Sequence, residues 1–180
     1  MRTMFTVAFV ISFVAVSVTA LVWFGNQKPQ LALTPAAQYA ADNEQLYLNL
    51  PESAQEAVNE FRRLGAMTEV GVSRDKYTEA FGEAYGSFKV FKAADAKNLQ
   101  LLVEMLERVI SGHTTTMKAY ESADKFPGNA VMQISCKQEI QSGWTMAALY
   151  MLDVEKLLDP VTCNSVLQES YLKSNKEVKK

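Results

Sequence analysis

The sequence predicts an all-α protein: an N-terminal transmembrane helix followed by a mostly antiparallel bundle of four long helices plus shorter helices. Three observations predict it. Residues 4–24 form an uncharged apolar run between Arg2 and Lys28. Beyond Thr34, apolar residues recur at three- and four-residue steps, the spacing of one helix face. The two-residue alternation of a strand persists over no useful length.

The apolar run comes first. About 20 residues are needed to cross a ~30 Å hydrocarbon core as a helix, and residues 1–24 are expected to be a signal anchor. Trp23 and Phe24 then fall where aromatic belts lie. A cleavable signal peptide is the alternative, with Arg2 as n-region and Val18-Thr19-Ala20 as the small-residue cleavage site. Cleavage after Ala20 would leave the greasy start Leu21-Val22-Trp23-Phe24, so the unbroken span favours the anchor. Arg2 and the α-amino group outweigh Lys28, which places the N-terminus inside and the folded part outside. The chain contains no Asn-x-Ser/Thr acceptor, so nothing asks for a glycosylating pathway. A bacterial inner membrane with a periplasmic domain is expected; a secreted periplasmic protein is the alternative.

After a linker over 25–33, Thr34 and Pro35 read as N-cap and first helical position of a helix to about Asn49. Ser53-Ala54-Gln55-Glu56 has the form of a capping box. Its helix should bury Ala57, Val58, Phe61 and Leu64, carry Arg62 and Arg63 in its last turn and stop at Gly65. A third helix after Ser73 aligns Tyr77, Phe81, Ala84, Phe88 and Phe91. In the fourth, Leu99, Leu106, His113 and Tyr120 recur every seven residues. Leu102 and Val109 fill the intervening position, and Val103, Ile110 and Met117 widen the stripe. Lys125-Phe126-Pro127-Gly128-Asn129 is a turn. A fifth segment places Met132, Cys136, Ile140, Trp144, Ala147, Met151, Val154 and Leu158 on one face. Asp159-Pro160 ends it and opens a last helix with Val166, Leu167 and Tyr171. The bundle domain is thus expected over 34–173, with a polar tail over 174–180.

The roughly 150 residues beyond the anchor make one ordinary domain, large enough to fold without metals or many disulfides. The formal net charge is −2, which gives no electrostatic footprint for nucleic acid. Lys173, Lys176, Lys179 and Lys180 close the chain and read as a solvated end that complements the last helix dipole.

Few residues offer chemistry. Cys136 and Cys163 are expected to form a disulfide in an oxidising compartment, which requires the fifth helix to fold back at Ser142-Gly143; two buried free thiols are the alternative. His113, the single histidine, occupies a core heptad position. It reads as a hydrogen-bonded core residue, or alternatively as a cofactor or haem ligand. Tyr77, Phe81, Tyr85, Phe88 and Phe91, with Gly82 and Gly86 beside them, form core or line a ligand or partner groove. The glycines suggest close crossing of a neighbouring helix. Glu79 and Glu83 read as an exposed polar face. Nucleophile-elbow, Walker and dinucleotide glycine patterns are absent.

The expected function is a non-catalytic, membrane-anchored envelope domain, an accessory or assembly subunit acting through protein–protein contacts. Its partners are the membrane, crossed once, and an envelope protein; no cofactor or metal is expected. The alternative is a small-molecule or haem-binding sensory bundle built on His113 and the Tyr77–Phe91 stripe.

Overall fold

The computed structural model describes residues 33–177, and six helices make up their regular structure. They are α1 Pro35–Leu48, α2 Glu52–Val70, α3 Arg74–Ala94, α4 Gln100–Lys125, α5 Ala130–Leu158 and α6 Cys163–Glu177. The chain is therefore helical as the periodicity predicts. The expected membrane helix over residues 4–24 lies outside the described residues. Among the described residues, no helix is long and apolar enough to cross a membrane.

Two helix ends differ from the sequence reading, for identifiable reasons. The capping box does not form. Pro51 sits at the N-cap with φ −62° and ψ 157°, and its carbonyl accepts from the amides of both Ala54 and Gln55 at 3.0 Å. A proline fixes φ near the value a helix start needs, so the helix opens one residue before Ser53. The Ser53 hydroxyl instead donates to the Asp95 carboxylate at 2.5 Å, 42 residues away. Nor does α2 stop at Gly65. Glycine in a helix interior costs about 1 kcal/mol, which the buried Ala57, Val58, Phe61 and Leu64 of the same helix outweigh. The stop is Gly71, whose φ of 81° is the left-handed region where a side chain would be strained. At the other end, α6 runs through Glu177 and so includes the first residues assigned to a polar tail.

Short connections make successive helices antiparallel. Residues 71–73 join α2 to α3, 95–99 join α3 to α4, and 126–129 join α4 to α5. Ion pairs report the register. Arg74 at the start of α3 meets Asp124 at the end of α4, and Lys92 at the end of α3 meets Glu107 near the start of α4, each at 2.5 Å. Helices α2 to α5 form the four-helix body. Helices α1 and α6 pair with each other, their rings Tyr39 and Tyr171 5.2 Å apart, and Ala40, Tyr47, Cys163 and Leu167 join the common core.

The closest contact in the fold lies between α4 and α5, and two glycines make it. A Cβ on Gly112 would lie 2.7 Å from the Ala147 nitrogen and 2.9 Å from the Gly143 oxygen. A Cβ on Gly143 would lie 2.8 Å from the Gly112 oxygen and overlap the Thr116 hydroxyl. Gly143 is thus the point where a second backbone passes, and α5 continues straight through it.

That continuity corrects the expected disulfide. From Cys136 to the end of α5 is about 33 Å at 1.5 Å per residue, and Cys163 begins α6 beyond that end. Disulfides need Cα atoms within about 7 Å. Cys136 and Cys163 are both free and both buried, the arrangement the alternative described. Burial is the chief cause that pushes the Cys163 thiol up, followed by the charges of Glu44 and Asp159, which keeps it protonated and unreactive.

Candidate functional site: an uncovered seam between two helices

His113 lies where the heptad places it. It is 2% exposed, and its Nδ1 is 2.9 Å from the Tyr77 hydroxyl. The rings of Phe61, Phe81 and Tyr77 stand 6.2, 5.7 and 5.9 Å away. Desolvation lowers its pKa to about 4, so the ring is neutral at physiological pH. Tyr77 is driven up to about 12 by burial, partly offset by Thr116 and Trp144 near its hydroxyl. The Trp144 indole N–H, a donor only, is buried beside it without completing a hydrogen bond. A ring enclosed on these sides, one nitrogen engaged, is a core polar contact. To ligate a haem iron it would first have to be unpacked.

The aromatic stripe of α3 does not stay on one surface. Tyr77, Phe88 and Phe91 are buried, Phe81 is half-buried and Tyr85 is 38% exposed. Gly82 and Gly86 are exposed, and a Cβ on either would meet nothing within 4 Å. The close crossing expected there occurs instead at Gly112 and Gly143. Replacing both by alanine is therefore expected to stabilise the fold by about 1.5–2 kcal/mol, the helix-propensity difference doubled. Urea unfolding of Gly82→Ala/Gly86→Ala measures it; an unchanged or lowered midpoint would show that something occupies that face. Of the carboxylate pair, Glu83 is held by Arg63 across α2 and α3.

The larger opening lies elsewhere. Between α2 and α5 runs a groove of about 410 Å³. Phe61, Arg62, Gly65, Ala66 and Glu69 line one side, and Thr145, Ala148, Leu149, Met151, Leu152 and Glu155 the other. Leu149 and Leu152 are 58% and 56% exposed. Gly65 and Ala66 bring almost no side chain to it, which leaves the space between the two helices open. One strap crosses the seam: the Arg62 guanidinium donates to both Glu155 carboxylate oxygens, at 2.6 and 2.7 Å. Arg62 also borders a second opening of about 270 Å³, lined by Tyr47, Leu48, Leu50, Val58 and Leu158 among others. With both partners about four-tenths exposed, the strap contributes under about 1 kcal/mol. It fixes a register more than it holds the helices together.

Apolar periodicity alone gives α5 one buried face and so does not reveal this surface. The signal was present: Ile140–Leu152 contains no charged residue. A helix that is apolar all round is normally covered all round, and α5 is the most apolar and least amphipathic helix of the body. Here Gly143, Ala147 and Val154 face inward while Met146, Leu149 and Leu152 face solvent. The groove presents aliphatic groups, one threonine hydroxyl and charges only at its ends. It holds no nucleophile beside a base, and it suits an apolar helix.

Comparison with protein-family models, curated proteins and solved structures returned no match to this chain.

Proposed function

We propose that the chain is a non-catalytic helical domain of a bacterial envelope, tethered to the inner membrane by residues 1–24 and exposed to the periplasm. It acts as an accessory or assembly subunit through protein–protein contacts. The observation that carries this reading is the uncharged outer face of α5 beside the α2/α5 groove. Contiguous exposed apolar surface rimmed by charge is how soluble domains present binding sites. A groove between two helices takes the apolar side of a third helix, read at i, i+3, i+4 and i+7.

The tether is supported by the length of the apolar run and its flanking charges. The docking test uses a photo-crosslinking amino acid at Leu152, which lines the groove and is 56% exposed. In native membranes it should capture a protein, whereas the same probe at exposed Glu139, away from the apolar face, should capture far less. Equal labelling from the two positions would sink the reading. Fractionation tests the anchor: the intact chain should sediment with membranes and resist carbonate extraction.

A further inference from the structure

We propose that the tip of the α4/α5 hairpin rests in the headgroup layer of the bilayer that tethers the chain, with Phe126, Val131 and Ile134 entering it. The inference rests on the tether proposed above and is independent of what fills the α2/α5 groove. It starts from a sequence pattern that the groove does not use. Between Lys125 and Lys137 stand eleven consecutive uncharged residues, 126–136. The end of α4, the turn and the first residues of α5, 124–131, are exposed without a break. Phe126 is 46% exposed, Val131 76% and Ile134 59%. Val131 and Ile134, three residues apart, share a helix face.

Apolar groups between lysines suit a membrane surface: the carbons enter the apolar boundary while the ammonium groups stay with the headgroups. Of the acids nearby, Asp124 is held by Arg74. Glu121 and Glu139 lie on the far side of Lys125 and Lys137 from the turn.

Chain direction selects the bilayer as the occupant. The segment from the apolar run enters at Pro35, the start of α1. The other end of α1, Tyr47 and Leu48, lines an opening together with Leu158, the last residue of α5. Helix α6 runs back along α5, since Glu169 senses the charges of Asp153 and Lys156. Helix α1 runs against α6, with Tyr39 beside Tyr171 and Tyr47 near Cys163. Pro35 therefore points the same way as the hairpin tip. From their shared end, α1 rises about 21 Å over 14 residues and α5 about 43 Å over 29 at 1.5 Å per residue. The tip thus lies about 20 Å beyond the tether's point of entry. Residues 25–34 span at most about 35 Å, so the tip is within reach of the bilayer. The connections at the opposite end carry Asp95, Lys97 and Asp159. The tethered end and the uncharged end coincide, which a protein partner at the tip would not require. Confinement beside the bilayer lets a contact of three side chains suffice.

Flotation and fluorescence test it on the full chain reconstituted into vesicles of phosphatidylethanolamine and phosphatidylglycerol. The native thiols Cys136 and Cys163 are buried. An NBD dye can therefore be placed on Val131→Cys or, at the opposite end, on Val161→Cys, a position 85% exposed. The chain should float with the vesicles. Lipids bearing a nitroxide near the headgroup should quench the Val131→Cys dye by half or more and the Val161→Cys dye little. Phe126→Asp with Ile134→Asp, both at exposed positions, should cut the Val131→Cys quenching severalfold and leave flotation unchanged. An unquenched Val131→Cys dye on floating vesicles overturns the tip contact and keeps the tether. Failure to float overturns the tether and this inference with it. Equal quenching at both ends, or quenching that the two aspartates leave unchanged, overturns insertion at the tip. A photo-crosslinker at Val131 that captures protein rather than lipid in native membranes assigns the tip to a protein partner and overturns the proposal.

Discussion

Gly143→Ala should destabilise the protein by roughly 1–3 kcal/mol, and Gly112→Ala by a similar amount. Alanine elsewhere in a helix would gain up to about 1 kcal/mol over glycine. Here the added carbon enters space already filled by a neighbouring backbone: from Gly143 it lies 2.8 Å from the Gly112 oxygen, and from Gly112 it lies 2.7 Å from the Ala147 nitrogen. Backbone cannot rotate aside as a side chain can, so α4 and α5 must separate, at the cost typical of overpacking. Separation would loosen the inward contacts of Leu106, Val109 and Ala147, which belong to the same core. For a chain of this size the loss corresponds to a fall in melting temperature of roughly 2–4 °C per kcal/mol. A second substitution sharpens the test. Thr116→Ala removes the hydroxyl that the new Cβ would overlap, so Gly143→Ala should cost less in that background. Part of the cost should remain, because the collision with the Gly112 oxygen is untouched; a double-mutant cycle separates the two. If Gly143→Ala raised stability as Gly82→Ala is expected to do, the close crossing would be wrong.

The same two pairs of glycines show how far the sequence could be followed. Helix positions and inward faces were legible because they repeat: Leu102, Leu106, Val109 and His113 are buried where the heptad places them. Which helix approaches which was not legible. Gly82 and Gly86 sit four apart on an aromatic helix and look like a crossing point, yet they face open space. Gly112 and Gly143 stand alone, thirty-one residues apart in sequence, and make the crossing together. The signal exists only once α4 and α5 are antiparallel, and no local pattern carries that. The disulfide expectation failed at the same place, since it required Gly143 to break α5. The groove went unread for the complementary reason. Periodicity assigns apolar residues to the interior and has no means of recognising an apolar face left uncovered. Only the lack of charge over Ile140–Leu152 marked it.

Acid should weaken the fold through His113 by about 3 kcal/mol between pH 7 and pH 4. The imidazole has an unperturbed pKa of about 6.5 and a folded value of about 4, lowered by desolvation. The unfolded chain therefore binds the proton more readily than the folded one. Stability rises with pH wherever the unfolded state holds more protons, so this contribution is complete above about pH 6.5 and is lost as pH falls towards 4. At 1.36 kcal/mol per unit, the interval gives the stated magnitude. Within the core no carboxylate answers the charge: Nδ1 faces the Tyr77 hydroxyl at 2.9 Å, and aromatic rings flank the imidazole. Tyr77 itself stays protonated across this range, because burial holds it near 12. Carboxylates at the surface also titrate below pH 5, so the measurement is a difference. His113→Gln keeps comparable volume and an acceptor for the Tyr77 hydroxyl but cannot take a proton in this range. Urea unfolding of both proteins at intervals from pH 7.5 to 4 should show wild type losing stability faster than His113→Gln. The gap should open mainly below pH 6.5. Parallel curves would mean that the imidazole reaches solvent, or finds an anion, in the folded state. A gap that opened upwards, with wild type gaining on the variant as pH falls, would require the ring to be charged in the core.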